Sequence, residues 1–178
     1  MDFNFSQIAT GQQTGPYNGH HFQEDKTMEC TVTWTGAAGT RSGMGFLAET
    51  GSGHVLAMDG APDAAKPENG GQNLAPRPME TVLAGTGGCT AYDVVLILKR
   101  GRHDVRGCSV KLTSERADTD PKVFTKIHMH FTVTGKGVPA AAVERAIAMS
   151  HEKYCSASIM LGKTAEITTS FEMVEAAA

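Results

Sequence analysis

The segment from Pro78 to Gly101 reads PMETVLAGTGGCTAYDVVLILKRG and predicts a long helix. A proline in the first turn followed by Glu80 suits a helix start, and the basic pair before Gly101 suits a helix end. Between them, apolar side chains recur mostly at helical spacing. Three glycines interrupt the pattern just before Cys89, at positions 85, 87 and 88. Each costs about 1 kcal/mol relative to alanine, so they indicate either close packing or access to the helix.

Ahead of this helix the sequence has the pattern of short strands followed by a loop. Threonines alternate with larger or apolar residues from Cys30 to Trp34, which predicts a half-buried strand. Two short apolar segments, Met44–Ala48 and His54–Met58, predict two further strands joined by a turn. Residues 60–77 are rich in proline and glycine, so we expect a loop there that is long enough to be functional.

After the helix, the segments Val105–Glu115 and Val123–Thr134 predict two strands joined by a hairpin turn. In the second of them, one predicted face consists of Val123, Thr125, Ile127, Met129, Phe131 and Val133. A second helix is predicted from about Pro139 to Tyr154, and Ser156–Leu161 predicts a short helical turn. Alternation over Glu166–Val174 predicts a final strand.

The order of these elements indicates an α+β fold, with mostly antiparallel sheets packed around two long helices, because hairpins join the strand pairs. The 178 residues fit one domain at a prior of about 150 residues per domain. We assign the polar residues 1–26 to a flexible N-terminal extension and residues 27–178 to a single domain. Two long apolar helices in so small a chain need covering, and a symmetric homodimer is a simple way to cover them.

The charge and hydropathy of the chain exclude several classes of function. The 16 Lys and Arg residues nearly balance the 19 Asp and Glu residues, which argues against a protein that binds nucleic acid. The longest aliphatic run, Val94 to Leu98, is far shorter than the roughly 20 residues of a membrane span. The chain does not open with a basic segment followed by an apolar one, so we expect a cytoplasmic protein.

The four cysteines are dispersed, which in a chain of this class does not indicate a disulfide framework. Cys30 and Cys108 lie on alternating strand patterns and are most simply buried packing residues. Cys89 and Cys155 lie on or beside predicted helices. Taken alone, each is either a packing residue or a thiol that does chemistry.

The sequence predicts no metal site. It has no CxxC motif, and His128 and His130 on one strand face lack a cysteine near them in the chain, so a zinc site would have to be assembled wholly by the fold. His151 lies four residues before Cys155, a spacing that can tune a thiol or share a metal. The His20-His21 pair is more simply an accidental surface pair.

Two segments that contain cysteine resemble motifs of the OsmC/Ohr family of thiol-dependent peroxidases. Pro78 to Val95 reads PMETVLAGTGGCTAYDVV and is similar to the first-cysteine helix, in which the cysteine follows a proline, a hydrophobic turn and small residues. His151 to Ser158 reads HEKYCSAS and resembles the second-cysteine motif. The resemblance extends over about residues 28 to 176 and is strongest to the OsmC-like branch with a Gly-Gly-Cys-Thr segment.

The resemblance implies an intertwined homodimer with two active sites at the subunit interface, each of which reduces organic hydroperoxides to alcohols. Cys89 would be the peroxidatic thiolate, with a lowered pKa, and would become a sulfenic acid. Cys155 would be the resolving thiol that forms a disulfide with it. An external dithiol or lipoyl-type reductant would restore both thiols, and no resident cofactor is expected.

The family also uses an arginine near the first cysteine and a glutamate that positions this arginine. Arg41, in the turn Gly39-Thr40-Arg41-Ser42-Gly43, is the candidate arginine, and Arg77 is its rival. Glu80 is the candidate glutamate, although it lies one residue later than the acid of the Ohr branch. One residue rotates a helical side chain by roughly 100°. The alternative role of Glu80 is that of a first-turn acid that the helix dipole favours.

A second function from another class remains open. A non-catalytic OsmC-like module would bind a small apolar ligand at the dimer interface, and its cysteines would be structural remnants. A disulfide between Cys89 and Cys155 after peroxide treatment separates the enzyme from this module. A third reading, metal binding through His151 and Cys155, predicts zinc in the purified protein.

Overall fold

A computed structural model of the chain describes residues 27–36 and 43–177. The predicted extension over residues 1–26 and the candidate Arg41 therefore lie outside the described residues.

The first sheet is an antiparallel meander of β1 (Cys30–Trp34), β2 (Phe46–Thr50) and β3 (Val55–Met58). All three strands were predicted, although β2 begins two residues later than its apolar segment. The Thr50 N–H donates to the His54 carbonyl at 2.9 Å and closes the turn between β2 and β3. The strand register places on one face Val32, Trp34, Phe46, Ala48, Leu56 and Met58.

Most of that apolar face is uncovered in the single chain. Val32, Trp34 and Leu56 are 53%, 50% and 40% exposed, whereas Ala48 is buried. An apolar face of this kind on a sheet is unusual in a protein that works as a monomer, because burying apolar surface is the main favourable term in folding and association.

The loop that follows β3 is anchored by one acidic side chain. Asp59 is buried, and its carboxylate accepts backbone N–H bonds from Gly60, Gln72 and Leu74 at 2.7, 3.1 and 2.9 Å. These bonds, with that from Leu74 the strongest, hold the pKa of Asp59 below its ordinary value of 3.8 against the opposing effect of burial. The predicted loop is therefore held at both ends by a single carboxylate.

The first helix, α1 (Pro78–Arg100), has the predicted start and end. One side of it packs against the second sheet and the later helices, and its buried residues are Thr86, Gly87, Thr90, Val94 and Leu98. Among the described residues, α1 is the one helix that is long and apolar enough to cross a membrane. Core helices of globular domains often have the same length and composition. The contacts of its buried side are those of a core helix.

The three glycines of α1 have different surroundings. A Cβ atom added at Gly87 would lie 2.6 Å from Cδ1 of Leu112, so this glycine allows close packing against the second sheet. Cβ atoms at Gly85 and Gly88 would meet nothing within 4 Å, because these glycines lie on the exposed side of the helix. Close packing therefore explains Gly87, and access to the helix is the explanation that fits Gly85 and Gly88.

The second sheet has the order β4 (Asp104–Arg116), β5 (Phe124–Lys136) and β6 (Glu166–Glu175). β4 and β5 form the predicted antiparallel hairpin. β6 pairs with β5 in parallel, which the hairpin argument did not anticipate, because the helical segment between them carries the chain back across the sheet. The other pairings within the described ranges are antiparallel, so the predicted α+β class with mostly antiparallel sheets is confirmed.

The core lies between the inner face of β5 and the helices. The side chains of Ile127, Met129, Phe131 and Val133 are at most 1% exposed, as their alternation predicts. The prediction is wrong at the start of the strand, where Val123 is 38% exposed and Phe124 is buried. The register between β4 and β5 shifts at Glu115 and Arg116, and a one-residue shift exchanges the two faces of a strand.

The crossover from β5 to β6 consists of three short helical pieces. α2 (Ala140–Met149) has 10 residues, a π-helical turn covers Ser150–Tyr154, and α3 covers Ser156–Leu161. The Cys155 N–H donates to the Ser150 carbonyl at 2.8 Å, the wider spacing of a π turn. α2 and the π turn together cover the predicted second helix, and the chain turns at Cys155, between the two predicted helical segments.

Candidate active site

Cys89 and Cys155, 66 residues apart in the chain, come together where α1 passes the start of α3. Both thiols are free. Their sulfur atoms and a carboxylate oxygen of Asp93 all lie within 4.8 Å of one another. The fold therefore places the two predicted cysteines close enough for a disulfide to form after a small local shift.

Cys155 is held by the helix that it begins. Its backbone is extended, at φ −73° and ψ 98°, and its side chain caps α3. The Ser158 N–H and hydroxyl group both donate to Sγ, at 3.4 and 3.1 Å. Cys155 is fully buried, whereas Cys89 is only partly buried, so a small molecule from solvent reaches Cys89 first.

Asp93 is a member of the site that the sequence analysis did not select. It lies four residues after Cys89, so both side chains project from the same side of α1. The Ser150 hydroxyl group donates to its Oδ2 at 3.0 Å, and Thr90 and Ser150 share a further hydrogen bond of 3.0 Å. The i,i+4 spacing from Cys89 could have identified Asp93 in the sequence. The contact with Ser150 could not be predicted in this way, because Ser150 lies in the crossover, far from Asp93 in the chain.

The surroundings of Cys89 raise the pKa of its thiol. Burial has the largest effect, and the neighbouring Cys155 thiol and the charge of Asp93 act in the same direction. The Ala157 N–H, at the start of α3, acts in the opposite direction and lowers it. The lowered pKa expected of a peroxidatic thiol is therefore not produced by the described part of the chain, and Arg41 lies outside that part.

Glu80 lies in the first turn of α1, whereas Cys89 lies at the middle of this helix. Its carboxylate accepts the Arg77 backbone N–H at 2.9 Å, which is the role of a first-turn acid. Nine residues of α1 separate it from Cys89, a rise of about 13 Å along the helix. Within one chain Glu80 does not meet the cysteines, and its role in catalysis stays a prediction.

Comparison with known proteins identifies the family. The family model described as OsmC-like protein matches residues 70–170, which include both cysteines and Asp93. The chain belongs to the OsmC-like family. Protein YhfA of Escherichia coli K12 is 48% identical over 149 residues, which are 84% of this chain and the whole of YhfA.

Solved structures show the same OsmC-like fold. A hypothetical protein of Aquifex aeolicus VF5 has a TM-score of 0.67 at 25% identity, over 85% of this chain and 99% of that one. The organic hydroperoxide resistance protein OsmC of Legionella pneumophila has a TM-score of 0.58 at 20% identity, over 82% and 96% of the two chains. The family thus includes hydroperoxide resistance proteins, and the predicted membership is confirmed.

The remaining cysteines of this OsmC-like chain lie outside the site. Cys30 is exposed in β1, so the prediction that it is buried packing is wrong for the single chain, because the apolar face of the first sheet has no cover there. Cys108 is partly buried in β4, and burial raises the pKa of its thiol, as expected for a packing residue.

The histidines considered in the sequence analysis do not join the two site cysteines. His128 and His130 each have a ring nitrogen 2.8 Å from the Ser170 hydroxyl group, on the outer face of the second sheet. His151 follows Ser150 in the π turn, and its Nδ1 is buried with no hydrogen-bond partner among the described residues. Among the described residues of this chain, the three side chains that come together as possible metal ligands are Cys89, Asp93 and Cys155, and His151 is not one of them.

An apolar groove runs beside α1 on the side of Gly87. It is lined by Leu83, Gly87, Gly88 and Ala91 from the helix and by Val110 and Leu112 from β4. Glu80 also borders it. The groove offers an apolar molecule a place next to the cysteine helix.

Proposed function

We propose that this OsmC-like protein is a thiol-dependent peroxidase that reduces organic hydroperoxides to alcohols. The observation that carries the proposal is the pair of free thiols: the sulfur atoms of Cys89 and Cys155 lie within 4.8 Å, and only Cys89 is partly exposed. A reactive thiol must meet its substrate, while a resolving thiol needs only to meet its partner.

The reaction proceeds in two steps on the protein. The Cys89 thiolate attacks the distal oxygen of the hydroperoxide, the O–O bond breaks, and the alkoxide takes up a proton to leave as the alcohol. Cys89 is then a sulfenic acid. The Cys155 sulfur attacks it, the disulfide forms, and water leaves, which prevents further oxidation of Cys89.

A reductant and a cation complete the cycle. An external dithiol or lipoyl-type compound reduces the disulfide by thiol–disulfide exchange and is itself oxidised, so no resident cofactor is required. Because burial, Cys155 and Asp93 raise the pKa of Cys89, the reaction needs a positive charge beside the thiol. Arg41 supplies this charge in the proposal, with Arg77 as the alternative, and Glu80 positions the arginine.

The protein works as a cytoplasmic homodimer in this proposal. The uncovered apolar face of the first sheet supplies apolar surface for a second copy. A reducing compartment suits a pair of cysteines that must return to the thiol state in every cycle.

The test is the reduction of an organic hydroperoxide, such as cumene hydroperoxide, with a dithiol as the reductant. We expect Cys89→Ser to reduce the rate to that of the buffer, because the serine hydroxyl group is a far weaker nucleophile. Cys155→Ser retains a capping oxygen at α3 and should accumulate a sulfenic acid at Cys89 that dimedone traps. Cys30→Ser is the matched control and should retain the full rate. Full activity of Cys89→Ser would exclude the proposal.

The apolar groove beside Gly87 supports a second candidate, a non-catalytic module that binds a small apolar ligand. One equivalent of hydroperoxide added to the reduced wild-type protein separates the two functions. A Cys89–Cys155 disulfide, identified by mass spectrometry of the digested protein, supports the peroxidase. Two unmodified thiols support the binding module.

A further inference from the structure

We propose that Cys89, Asp93 and Cys155 of the reduced protein together bind one thiophilic divalent cation, Zn²⁺ or Cd²⁺. The three side chains each offer one ligand atom, and these atoms lie within 4.8 Å of one another. Two thiolates and a carboxylate are a ligand set that zinc accepts, with a fourth position left for water. The fold thus assembles a site that the spacing of the sequence alone did not predict.

The distances fit a single ion. A tetrahedral Zn²⁺ holds sulfur ligands at about 2.3 Å, so two of them lie roughly 3.8 Å apart. The separations among Cys89, Asp93 and Cys155 are all 4.8 Å or less. Small rotations of the side chains are therefore sufficient for all three atoms to reach one cation.

Outer hydrogen bonds hold two of the three ligands in place. The Ser150 hydroxyl group donates to Asp93 at 3.0 Å, which orients the carboxylate towards the cysteines. Ser158 donates to the Cys155 sulfur from its backbone and from its side chain. Partners of this kind orient metal ligands and are part of most metal sites.

Binding is an exchange of protons for a cation, with no transfer of electrons. Each thiol loses its proton to the buffer as its sulfur–metal bond forms, and the carboxylate binds the cation as an anion. One divalent cation then offsets two of the three negative charges of the site, which are those of the two thiolates and the carboxylate. The inference goes beyond the proposed peroxidase, because it needs only the reduced thiols and no reaction with peroxide.

The experiment is a titration of the reduced, metal-free protein with Zn²⁺ against a chromophoric chelator, and with Cd²⁺ followed by its thiolate charge-transfer absorbance. We expect one ion per chain in the wild-type protein. Cys89→Ser and Cys155→Ser should each abolish the cadmium absorbance of a two-thiolate site, and Asp93→Asn should weaken Zn²⁺ binding at least about 10-fold.

Matched variants separate this site from the other possible ligands of the chain. Cys30→Ser, Cys108→Ser and the double variant His20→Ala/His21→Ala should bind one ion with the affinity of the wild-type protein. Loss of the ion in any of these controls, or a stoichiometry unchanged in Cys89→Ser, would overturn the proposal, as would the absence of binding at micromolar Zn²⁺.

A measurement on the wild-type protein alone protects the test against variants that fail to fold. Zn²⁺ should slow the alkylation of Cys89 by iodoacetamide, while Cys108, a free cysteine of β4 outside the site, reacts at an unchanged rate. Peptide mapping by mass spectrometry measures both. Equal rates at Cys89 with and without Zn²⁺ contradict the site. Since no peroxide is present, the result is independent of the proposed catalytic activity.

Discussion

The two cysteines of the site differ in what surrounds each sulfur atom. Cys155 is fully buried and accepts two hydrogen bonds from Ser158, which fix its position at the start of α3. Cys89 is partly exposed on α1 and faces both Cys155 and Asp93. The residue that a peroxide can reach is therefore the one whose pKa is raised by burial and by its neighbours. The more accessible thiol is thus the less easily ionised one, so the reactivity of Cys89 depends on the charges beside it.

Asp93→Asn should lower the pKa of Cys89. Burial and Cys155 remain in this variant, but the negative charge of Asp93, which also raises the pKa, is gone. The pH profile of Cys89 alkylation should therefore shift to lower pH, and alkylation at neutral pH should be faster than in the wild-type protein. Glu144→Gln, an exposed acid on α2 that does not act on Cys89, is the control and should leave the profile in place. An unchanged or higher midpoint in Asp93→Asn would contradict the assigned charge effect.

At the scale of single elements, α1 and the loop before it depend on a few local contacts. Gly87 lets the helix approach Leu112 of β4, while Gly85 faces open space. Asp59 ties the two ends of the loop together through three backbone N–H groups. Both features are tested by substitutions that leave the cysteines untouched.

Two alanine substitutions in α1, at Gly85 and at Gly87, should change the free energy of unfolding differently. Gly85→Ala should raise the free energy of unfolding by up to about 1 kcal/mol, because alanine favours the helix and nothing obstructs its methyl group. Gly87→Ala should be about 1 to 3 kcal/mol less stable than Gly85→Ala, because its methyl group forces Leu112 to shift. Urea unfolding of the two variants measures the difference, and equal stabilities would show that α1 does not approach β4 as described.

Asp59→Asn should destabilise the protein at neutral pH, because an amide group cannot accept N–H bonds at both of its terminal atoms. The carboxyl pKa is lowered in the folded protein, so its stabilisation is present above the ordinary value of 3.8 and is lost as the pH falls through the lowered pKa. The difference in urea midpoint between wild type and variant should therefore shrink at acidic pH. Asp63→Asn, on the exposed part of the same loop, serves as the control. A difference that does not depend on pH would contradict the role of the charge.

At the scale of the whole molecule, a single chain leaves part of its apolar surface in contact with water. Val32 and Trp34 on β1 and Leu56 on β3 share one exposed face. Burying such surfaces against a second copy gains about 25 cal/mol for each Å² removed from water. The proposed homodimer therefore removes this apolar face from water.

Val32→Glu should weaken the dimer, because it places a charge on the apolar face of the first sheet. Light scattering after gel filtration should give the mass of two wild-type chains and a lower mass for the variant. The single tryptophan, Trp34, provides a second readout, since its emission should shift to longer wavelength when the face is exposed. Thr33→Glu is on the opposite face of the same strand and should remain dimeric. Monomeric wild-type protein would exclude the homodimer.

Local patterns in the sequence were sufficient for most of the elements. The proline, the basic pair and the glycine that bound α1 act within one turn of the helix, so both of its ends were predicted correctly. The strand patterns likewise predicted the hairpin of β4 and β5, except at Val123, where a shift of register exchanges the faces. The resemblance to the OsmC/Ohr family added the pairing of Cys89 with Cys155, which no local pattern contains.

The sequence by itself determined the helix and strand periodicity, the fold class and the family of this protein, because these depend on neighbours within a few residues or on motifs read directly along the chain. Only the tertiary structure decided that β6 pairs in parallel, that a π turn precedes Cys155, and that Asp93 and Ser150 meet beside the two cysteines. Contacts between residues about 60 positions apart depend on how α1 packs against the crossover. The chemistry of the site follows from that packing.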